Sequence, residues 1–399
     1  MVSNKTSRIM AGADQPERYL PLLKDRRVAV LANHTSRVGK MHLIDFLLEN
    51  QVNVVKIFSP EHGFVGTGDD VIPVRDSIDA RRGIPIISLW NSLKPGDPEE
   101  LNSLWEGYKK PGGAELADVD IMLYDIQDVG VRFYTYISTL QRFMESAAEN
   151  GKELLILDRP NPNGFYVDGP VLEEAYRSFI GMQPVPVVYG MTTGEYARML
   201  TGERWLSDPD LKPGVTVIEC RNYAHDRLYR LPVPPSPNLP NMASVYLYPS
   251  VCFLEGTACS VGRGTAYPFQ QFGSPLFPRT AHFFTPRSVV GASDPKLTGQ
   301  KCFGFLIATN ESQALAESAN RIQLKWLLKA YALFPDKKKF FNDRFALLAG
   351  SHKLRLAMES GLSEEEIRKG WASGLANFLK IRERYLLYPD FTEGYVSPH

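Results

Sequence analysis

The sequence predicts an α/β protein whose first half folds as a parallel β-sheet covered by helices and whose second half is of mixed structure. Short apolar runs rich in β-branched residues alternate with segments of helical spacing through the first half. Most of these runs are apolar on both faces, which is typical of parallel strands buried between helices. A stretch with five prolines in ten residues, 231–240, then interrupts the pattern, because proline excludes both helix and central strand.

Each element of the first half has its own signal. Strands are predicted where the apolar runs lie, at 27–33, 52–58, 84–89, 119–125, 153–158 and 215–220. Helices are predicted where apolar residues recur at helical spacing, at 42–49, 97–108, 139–149 and 192–200. The last of these helices starts with Thr192 and, three residues later, Glu195, which is the capping-box pattern.

In the second half a strand is predicted at 302–309, and long helices at 312–333 and 363–387. The last helix has Ser363 at its N-cap and three glutamates in its first turn, which suits the helix dipole. A chain of 399 residues is long enough for two domains. With the boundary in the proline-rich stretch, the prediction is a leader at 1–26, a first domain at 27–231 and a second domain at 232–399.

The composition is that of a soluble globular protein, with 44% hydrophobic and 23% charged residues. Lys+Arg and Asp+Glu are equal at 45 each, so no global field attracts nucleic acid, and we expect no nucleic-acid partner. No apolar run reaches the roughly 18 residues that a membrane span needs. The first residues have no apolar signal core, so the protein is either cytoplasmic or has lost a targeting segment.

The four cysteines have no metal-ligand spacing. A disulfide between Cys252 and Cys259 is conceivable, but four partly buried free thiols are the favoured prediction. The histidines His34 and His62 could share a metal with Asp125, yet no His-x-x-x-His spacing supports that, and we expect no metal.

Polar side chains follow four of the predicted strands at the point where each strand ends. Because the carboxyl ends of parallel strands meet at one edge of a sheet, these side chains are expected to lie along the edge where ligands bind. The alternative for each is that it caps the next helix or closes a turn. The residues singled out in this way are Asn33, Glu61, His62, Asp125, Asp128, Asp158 and Arg159.

Arg132 lies among aromatic residues directly after Asp128. Aromatic rings such as Tyr134 and Tyr136 stack on the apolar faces of sugars, and a guanidinium pairs with a carboxylate, so the stretch fits a pocket for a sugar acid. The alternative is an aromatic cluster at the core edge, in which Arg132 bonds to Asp125 or Asp128.

The glycine-rich stretch 256–265 lacks the Gly-Lys-Ser/Thr ending of a phosphate loop, and no Gly-x-Gly-x-x-Gly follows the first strand. A nucleotide cofactor is therefore not expected. The stretch is interpreted as a tight loop of the second domain that brings Arg263 over the sheet edge.

Five motifs stand out along the chain: Ser-Pro-Glu-His-Gly at 59–63, Tyr-Asp-Ile-Gln-Asp-Val-Gly-Val-Arg-Phe-Tyr-Thr-Tyr at 124–136, Leu-Asp-Arg-Pro-Asn-Pro at 157–162, Asp-Gly-Pro at 168–170 and Ser-Val-Gly-Arg-Gly-Thr at 260–265. Together they resemble the exo-β-N-acetylmuramidase family, formerly a domain of unknown function. The resemblance runs from about Arg27 to the C-terminus with the motifs in the expected order.

This resemblance implies a Rossmann-like parallel sheet flanked by helices, a smaller α+β domain that closes a cleft, and removal of N-acetylmuramic acid from the non-reducing ends of peptidoglycan fragments. No cofactor is expected. Because such proteins are typically exported, the resemblance favours a periplasmic or secreted protein over a cytoplasmic one. Nothing in the sequence indicates the oligomeric state.

Glycoside hydrolysis usually needs two carboxyl groups, one on each side of the bond. The hypothesis is that Glu61 is the general acid, kept protonated by partial burial, and that Asp125 or Asp128 is the second carboxylate or orients the substrate acetamide. Tyr134 or Tyr136 would stabilise the positive charge of the transition state.

The remaining candidates would bind substrate. One of Arg132, Arg159 and Arg263 would pair with the lactyl carboxylate of muramic acid, and Asn33, His62 and Asp158 would be further contacts, with His62 also holding the turn. The competing function is a non-catalytic protein that binds peptidoglycan or amino sugars. An esterase or amidase is disfavoured because no Gly-x-Ser-x-Gly elbow is present.

Overall fold

The computed structural model describes residues 7–68, 75–90 and 108–391. Within them the strands are β1 Arg27–Ala32, β2 Arg37–Val38, β3 Met41–His42, β4 Asn53–Ser59, β5 Ser77–Ile78, β6 Pro85–Ser88, β7 Ile121–Asp125, β8 Glu153–Leu157, β9 Gly214–Ile218, β10 Gln271–Ser274, β11 His282–Phe284 and β12 Cys302–Leu306. The α-helices are Pro16–Leu23, Leu43–Glu49, Gly113–Leu116, Tyr136–Glu149, Thr193–Gly202, Met242–Val251, Glu311–Ser318, Lys325–Leu333, Arg344–Ala349, Lys353–Glu359, Glu364–Lys369 and Ala372–Glu383. The predicted helix at 97–108 lies outside the described residues except for its last position.

Seven strands form one central sheet in the order β5-β6-β4-β1-β7-β8-β9. All neighbouring pairs are parallel except β5 with β6 at the edge. The chain builds outward from β1 through β4 to β6, returns to the other side of β1 at β7, and continues to β9. This is the Rossmann strand order, with the reversal between β1 and β7, and it confirms the predicted fold class.

The strand β1 shows why the sheet needs helices on both faces. Its residues Val28 to Ala32 are fully buried, and alternate side chains join different hydrophobic clusters. Val28 and Val30 pack with helix Leu43–Glu49, whereas Ala29 and Leu31 belong to the cluster that contains helix Tyr136–Glu149. A strand buried on both faces must be apolar at every position, which is the pattern read from the sequence.

The N-terminal segment that the sequence analysis assigns to a leader contains a packed helix. In helix Pro16–Leu23, Tyr19 and Leu23 are fully buried against the same face of the sheet as Val28. Residues 16–23 therefore contribute to the core of the first half.

The second half has a smaller antiparallel sheet, β10-β12-β11, surrounded by helices, which confirms the predicted smaller domain of mixed structure. The prediction of one long helix at 312–333 is wrong. Helix Glu311–Ser318 ends at Ala319, which adopts a left-handed conformation with φ 46°, and a new helix starts at Lys325. The helix predicted at 363–387 also consists of two, Glu364–Lys369 and Ala372–Glu383, with Gly370 at the break.

The two halves share one continuous hydrophobic cluster, which includes Ala29 of β1 and Phe391 near the C-terminus. All four cysteines are free, as the favoured prediction stated, and they are buried rather than partly buried. Among the described residues, every helix is too short or too polar to cross a membrane.

Candidate active site

Glu61 stands in a tight turn directly after β4. The turn closes through a hydrogen bond from the Gly63 amide to the Pro60 carbonyl at 2.9 Å, and Gly63 has φ +74°, which glycine adopts without strain. The His62 Nδ1 atom lies 2.8 Å from the Gly68 carbonyl oxygen. His62 thus holds the loop that presents Glu61, although its side chain also lines the cavity described below.

The carboxylate of Glu61 accepts two hydrogen bonds from neutral hydroxyl groups. The Tyr108 hydroxyl lies 2.8 Å from Glu61 Oε2, and the Thr135 hydroxyl lies 2.5 Å from the same oxygen. Burial, followed by the charge of Glu61, raises the pKa of Tyr108, so this phenol keeps its proton and remains a donor. Within the described ranges no cation pairs with Glu61, and its second oxygen, Oε1, has no hydrogen-bond partner.

Glu61 lines a cavity between the carboxyl edge of the central sheet and the second half of the chain. The first half gives this cavity an aromatic wall. The indole nitrogen of Trp90 is buried there without a hydrogen-bond partner in the part of the chain that the structure describes. Aromatic faces beside an unpaired donor suit a sugar, which has apolar faces and hydroxyl groups. The wall consists of Trp90, Tyr108, Phe133, Tyr134, Tyr136 and Phe179.

Tyr136 is held by the end of β1. The side-chain amide of Asn33 donates to the Tyr136 hydroxyl at 3.0 Å, and the Asn33 side-chain oxygen accepts from Thr35 at 2.6 Å. Asn33 is fully buried, so the structure makes it a support for Tyr136 rather than part of the lining. Tyr134 lines the cavity and donates to the Pro235 carbonyl at 2.9 Å.

The opposite wall carries the charged groups of the second half. Glu255 and Arg263 form an ion pair, in which the Arg263 Nε atom lies 2.7 Å from Oε1 and Nη2 donates a hydrogen bond to Oε2 at 3.2 Å, and both side chains are about three-quarters buried. The Arg263 guanidinium also lies 5.4 Å from the centre of the Phe269 ring. Arg344, Asn238 and Ser236 add further polar groups to this wall. Glu61 and Glu255 therefore face one cavity from the two halves of the chain.

Asp125 and Arg159 form a buried ion pair with each other. Both oxygens of Asp125 accept from Arg159, with Nε–Oδ1 at 2.6 Å and Nη2–Oδ2 at 2.8 Å, and both residues are buried. Neither lines the cavity that contains Glu61. Since the pair satisfies the carboxylate, the structure does not present Asp125 as a second catalytic group.

Asp128 is buried behind the aromatic wall. Its Oδ2 atom accepts from the Gly130 amide at 2.6 Å and from the Tyr189 hydroxyl. Burial raises the pKa of Asp128 to about 7. It is absent from the cavity lining, so the structure does not place it beside Glu61.

Asp158 anchors the start of helix Thr193–Gly202. It accepts from the Thr192 hydroxyl at 2.7 Å, the Gly194 amide at 2.8 Å and the Tyr388 hydroxyl at 2.5 Å. Burial raises its pKa to about 6. Asp158 therefore has the function that was the alternative for residues at strand ends, which is to cap the next helix.

Arg132 does not reach a ligand cavity, and it bonds to neither Asp125 nor Asp128. Its guanidinium is fully buried and donates to the carbonyls of Pro170 at 2.8 Å, Val185 at 2.9 Å and Leu348 at 2.7 Å. Burial lowers the pKa of Arg132 to about 9. Arg132 therefore joins the two halves of the chain through their main-chain carbonyls.

The structure separates the residues that were considered for a metal. The His34 Nε2 atom lies 2.8 Å from the Pro234 carbonyl oxygen, and Asp125 is committed to Arg159. Among residues 7–68, 75–90 and 108–391, no three histidine, cysteine, aspartate or glutamate side chains cluster as metal ligands would.

Several lining residues were missed by the sequence analysis. Trp90 follows β6 at the same sheet edge as Glu61. It would have been predicted if aromatic residues that follow a strand, and not only polar ones, had been considered as site residues. Glu255 immediately precedes the glycine-rich stretch 256–265, where only Arg263 was considered. Arg344 has no local signal, because the fold brings it to the cavity from the start of helix Arg344–Ala349.

Both halves of the chain match models of one family. The model described as exo-β-N-acetylmuramidase NamZ, N-terminal, matches residues 28–243, and the corresponding C-terminal model matches residues 246–388. The chain is 33% identical to peptidoglycan β-N-acetylmuramidase NamZ of Bacillus subtilis (strain 168), over 96% of this chain and 92% of that protein.

Two crystal structures of DUF1343 family proteins from Bacteroides fragilis NCTC 9343 have the same fold. One is 44% identical with a TM-score of 0.85, over 96% of this chain and all of that chain. The other is 29% identical with a TM-score of 0.76, over 96% of this chain and 99% of that chain.

Proposed function

The chain belongs to the exo-β-N-acetylmuramidase family, and we propose that the cavity between Glu61 and Glu255 is where it releases N-acetylmuramic acid from the non-reducing ends of peptidoglycan fragments. The protein is a glycosidase acting on peptidoglycan. The observation that carries the assignment of the site is that two carboxylates from different halves of the chain line one aromatic cavity.

Glu61 is the general acid in this proposal. A general acid gives its proton to the leaving oxygen, and the described neighbours of its carboxyl group are the hydroxyls of Tyr108 and Thr135. Both hydroxyls donate to Oε2, which leaves Oε1 to carry the proton to the leaving oxygen. Glu255 forms an ion pair with the Arg263 guanidinium, and we give it the second role in hydrolysis, that of base or nucleophile.

Glu255 takes the place that the sequence analysis gave to Asp125 or Asp128. A second carboxylate that lines the same cavity can activate water, attack the anomeric carbon or stabilise the positive charge of the transition state. Two carboxyl groups in different surroundings are the usual basis for a division between acid and base. Tyr136, held in place by Asn33, is positioned to stabilise the same charge from the sheet side.

Recognition of muramic acid needs a cation for its lactyl carboxylate. Of the three arginines proposed from the sequence, only Arg263 lines the cavity, and it already pairs with Glu255. Arg344 lines the same wall and is exposed. We assign the lactyl carboxylate to Arg344, with Arg263 as the group that fixes Glu255.

Glu61→Gln tests the proposal, with hydrolysis of a chromogenic N-acetylmuramic acid glycoside as the measurement. Glutamine preserves the shape and the hydrogen bonds from Tyr108 and Thr135 but cannot donate the proton. We expect kcat to fall by about a hundredfold or more, while binding of N-acetylmuramic acid stays within about threefold.

Near-normal kcat in Glu61→Gln would remove it from the acid role. Asp125→Asn is an unsuitable control because it breaks a buried pair, so Glu17→Gln on the exposed surface serves instead. A non-catalytic sugar-binding protein, the competing interpretation, would bind the glycoside without hydrolysing it in any variant.

The proposal also covers the site of action. A substrate in the cell wall favours a periplasmic or secreted enzyme, whereas a cytoplasmic one would act on imported fragments during cell wall turnover. Fractionation of cells that express the natural gene, followed by detection of the protein in each fraction, distinguishes them. Recovery in the cytoplasmic fraction alone would overturn export.

A further inference from the structure

A second cavity, of about 320 Å³, is lined by five arginines and lies outside the hydrolytic cavity. Among the described residues that line it, the only carboxylate is Asp14, which accepts from the amides of Gly39 at 3.0 Å and Ala11 at 3.3 Å. Asp125 and Glu311, which do not line the cavity, form ion pairs with two of its arginines. The five guanidinium groups still outnumber the three described carboxylates in and around the cavity. The five arginines are Arg8, Arg37, Arg159, Arg227 and Arg230.

Arg159 gives this cavity a buried cation with unused donors. Its side chain is only 4% exposed, and its Nε and Nη2 atoms are taken by Asp125 and by the Arg37 carbonyl. The remaining nitrogen, Nη1, has no partner among the described residues. A buried guanidinium with free N–H groups at a cavity wall is a strong attraction for an oxygen anion.

Neighbouring groups converge on the same space. The Arg8 guanidinium likewise has no partner within the described ranges, and Arg37 uses Nε and Nη1 for the carbonyls of His34 and Lys40, which leaves Nη2. Burial raises the pKa of Tyr229, and the charges of Arg159 and Arg8 oppose that rise, so the phenol lies within electrostatic reach of both. Tyr229 adds a hydroxyl donor to the cavity.

We propose that this arginine cavity binds an oxyanion, a phosphate or carboxylate group, at a second site distinct from the hydrolytic cavity. Both groups present a pair of oxygens to a guanidinium in the same geometry. One stretch of chain connects the two sites: Arg227 and Tyr229 line the arginine cavity, and Ser236 and Asn238 line the hydrolytic one. An anion bound by Arg159 therefore lies next to the segment that forms the wall of the active site.

The test is calorimetric titration of the full chain with inorganic phosphate, and separately with succinate, at constant ionic strength. We expect one bound anion per chain, and a dissociation constant raised by about fivefold or more in Arg8→Ala and in Tyr229→Phe, since each removes a donor to a charged group. Tighter binding of phosphate identifies a phosphate ligand, and comparable binding of succinate identifies a carboxylate one.

Arg221→Ala is the matched control, because Arg221 pairs with Glu17 on the surface and does not line the cavity. It should leave anion affinity unchanged, and Arg8→Ala should leave glycoside hydrolysis unchanged. The proposal is overturned if neither anion binds, if Arg8→Ala and Tyr229→Phe bind like the wild type, or if Arg221→Ala weakens binding as much as they do.

Discussion

The role of each residue at a strand end depends on the groups that its side chain contacts. Glu61 and Asp125 both lie where a strand reaches the same edge of the sheet. Glu61 accepts hydrogen bonds from two hydroxyls at a cavity, whereas Asp125 pairs with a buried guanidinium. Residue type and position predicted that both would lie at this edge. They could not predict the pairing, because Arg159 follows the neighbouring strand β8 and the direction of its side chain is set by packing.

Asp128 makes the stability of the protein depend on pH. Its pKa is raised by burial to about 7 from an ordinary value of 3.8. The folded state therefore favours the protonated form, so the stability from this residue is complete below about pH 4 and is lost as the pH rises toward 7.

Asp128→Asn is neutral at every pH and keeps an oxygen that can accept from Gly130. We expect its free energy of unfolding, measured by urea denaturation, to rise relative to the wild type between about pH 4 and about pH 7. Asp210→Asn, at an exposed aspartate, should follow the wild-type curve. Parallel curves for Asp128→Asn and the wild type would show that burial does not perturb this carboxyl.

At the scale of elements, the broken helix near 319 provides a sensitive test of local conformation. Ala319 ends helix Glu311–Ser318 with φ 46°, which is strained for any residue with a Cβ atom, whereas Ala316 lies inside the helix and is exposed. We expect Ala319→Gly to raise the free energy of unfolding by up to about 1 kcal/mol.

The same substitution at Ala316 should lower the free energy of unfolding by about 1 kcal/mol, because glycine in a helix interior costs backbone entropy. Thermal or urea denaturation of the two variants measures both changes. Equal effects of the two substitutions would contradict the left-handed helix end.

The strands were predicted better than the helices of the second half. Runs such as 27–33 and 153–158 are buried on both faces, so each run of apolar residues coincides with one strand. The helical spacing at 312–333 continues across a break, because residues on both sides pack against the same core. The spacing of apolar residues indicates which face of a helix is buried. It does not reveal a turn that interrupts the helix while the same face stays against the core.

At the scale of the molecule, a buried ion pair connects the two halves. Arg368 donates to both oxygens of Asp168 at 2.8 Å, and the Asp168 side chain is only 2% exposed. Removing one partner of such a pair leaves a buried charge. We expect Arg368→Met to lower the free energy of unfolding by about 3 kcal/mol or more, with a single transition for the whole chain.

Arg204→Met is the control, since Arg204 and Asp210 form an exposed pair that should contribute less than about 1 kcal/mol. Calorimetry measures both the size of the loss and the number of transitions. Two separate transitions in the wild type would show that the halves unfold independently despite their shared core.

The candidate site could be predicted from the sequence only on one side. Glu61, Tyr134 and Tyr136 follow strands of the parallel sheet, and the topology of such a sheet places them together. Glu255 and Arg344 come from the second half, almost 200 and almost 300 residues after Glu61. No local pattern fixes how a distant loop lies over a sheet edge, so half of the cavity required the structure.

The last described residues complete the core of the first half, and this has a consequence for biosynthesis. The Tyr388 hydroxyl donates to Asp158, and the Leu387 amide donates to Glu195 at 2.8 Å. Until residues 387 and 388 have been made, Asp158 lacks its Tyr388 donor and Glu195 lacks the Leu387 amide. The first half, though translated early, therefore reaches its final hydrogen bonding only when nearly the whole chain is available to fold.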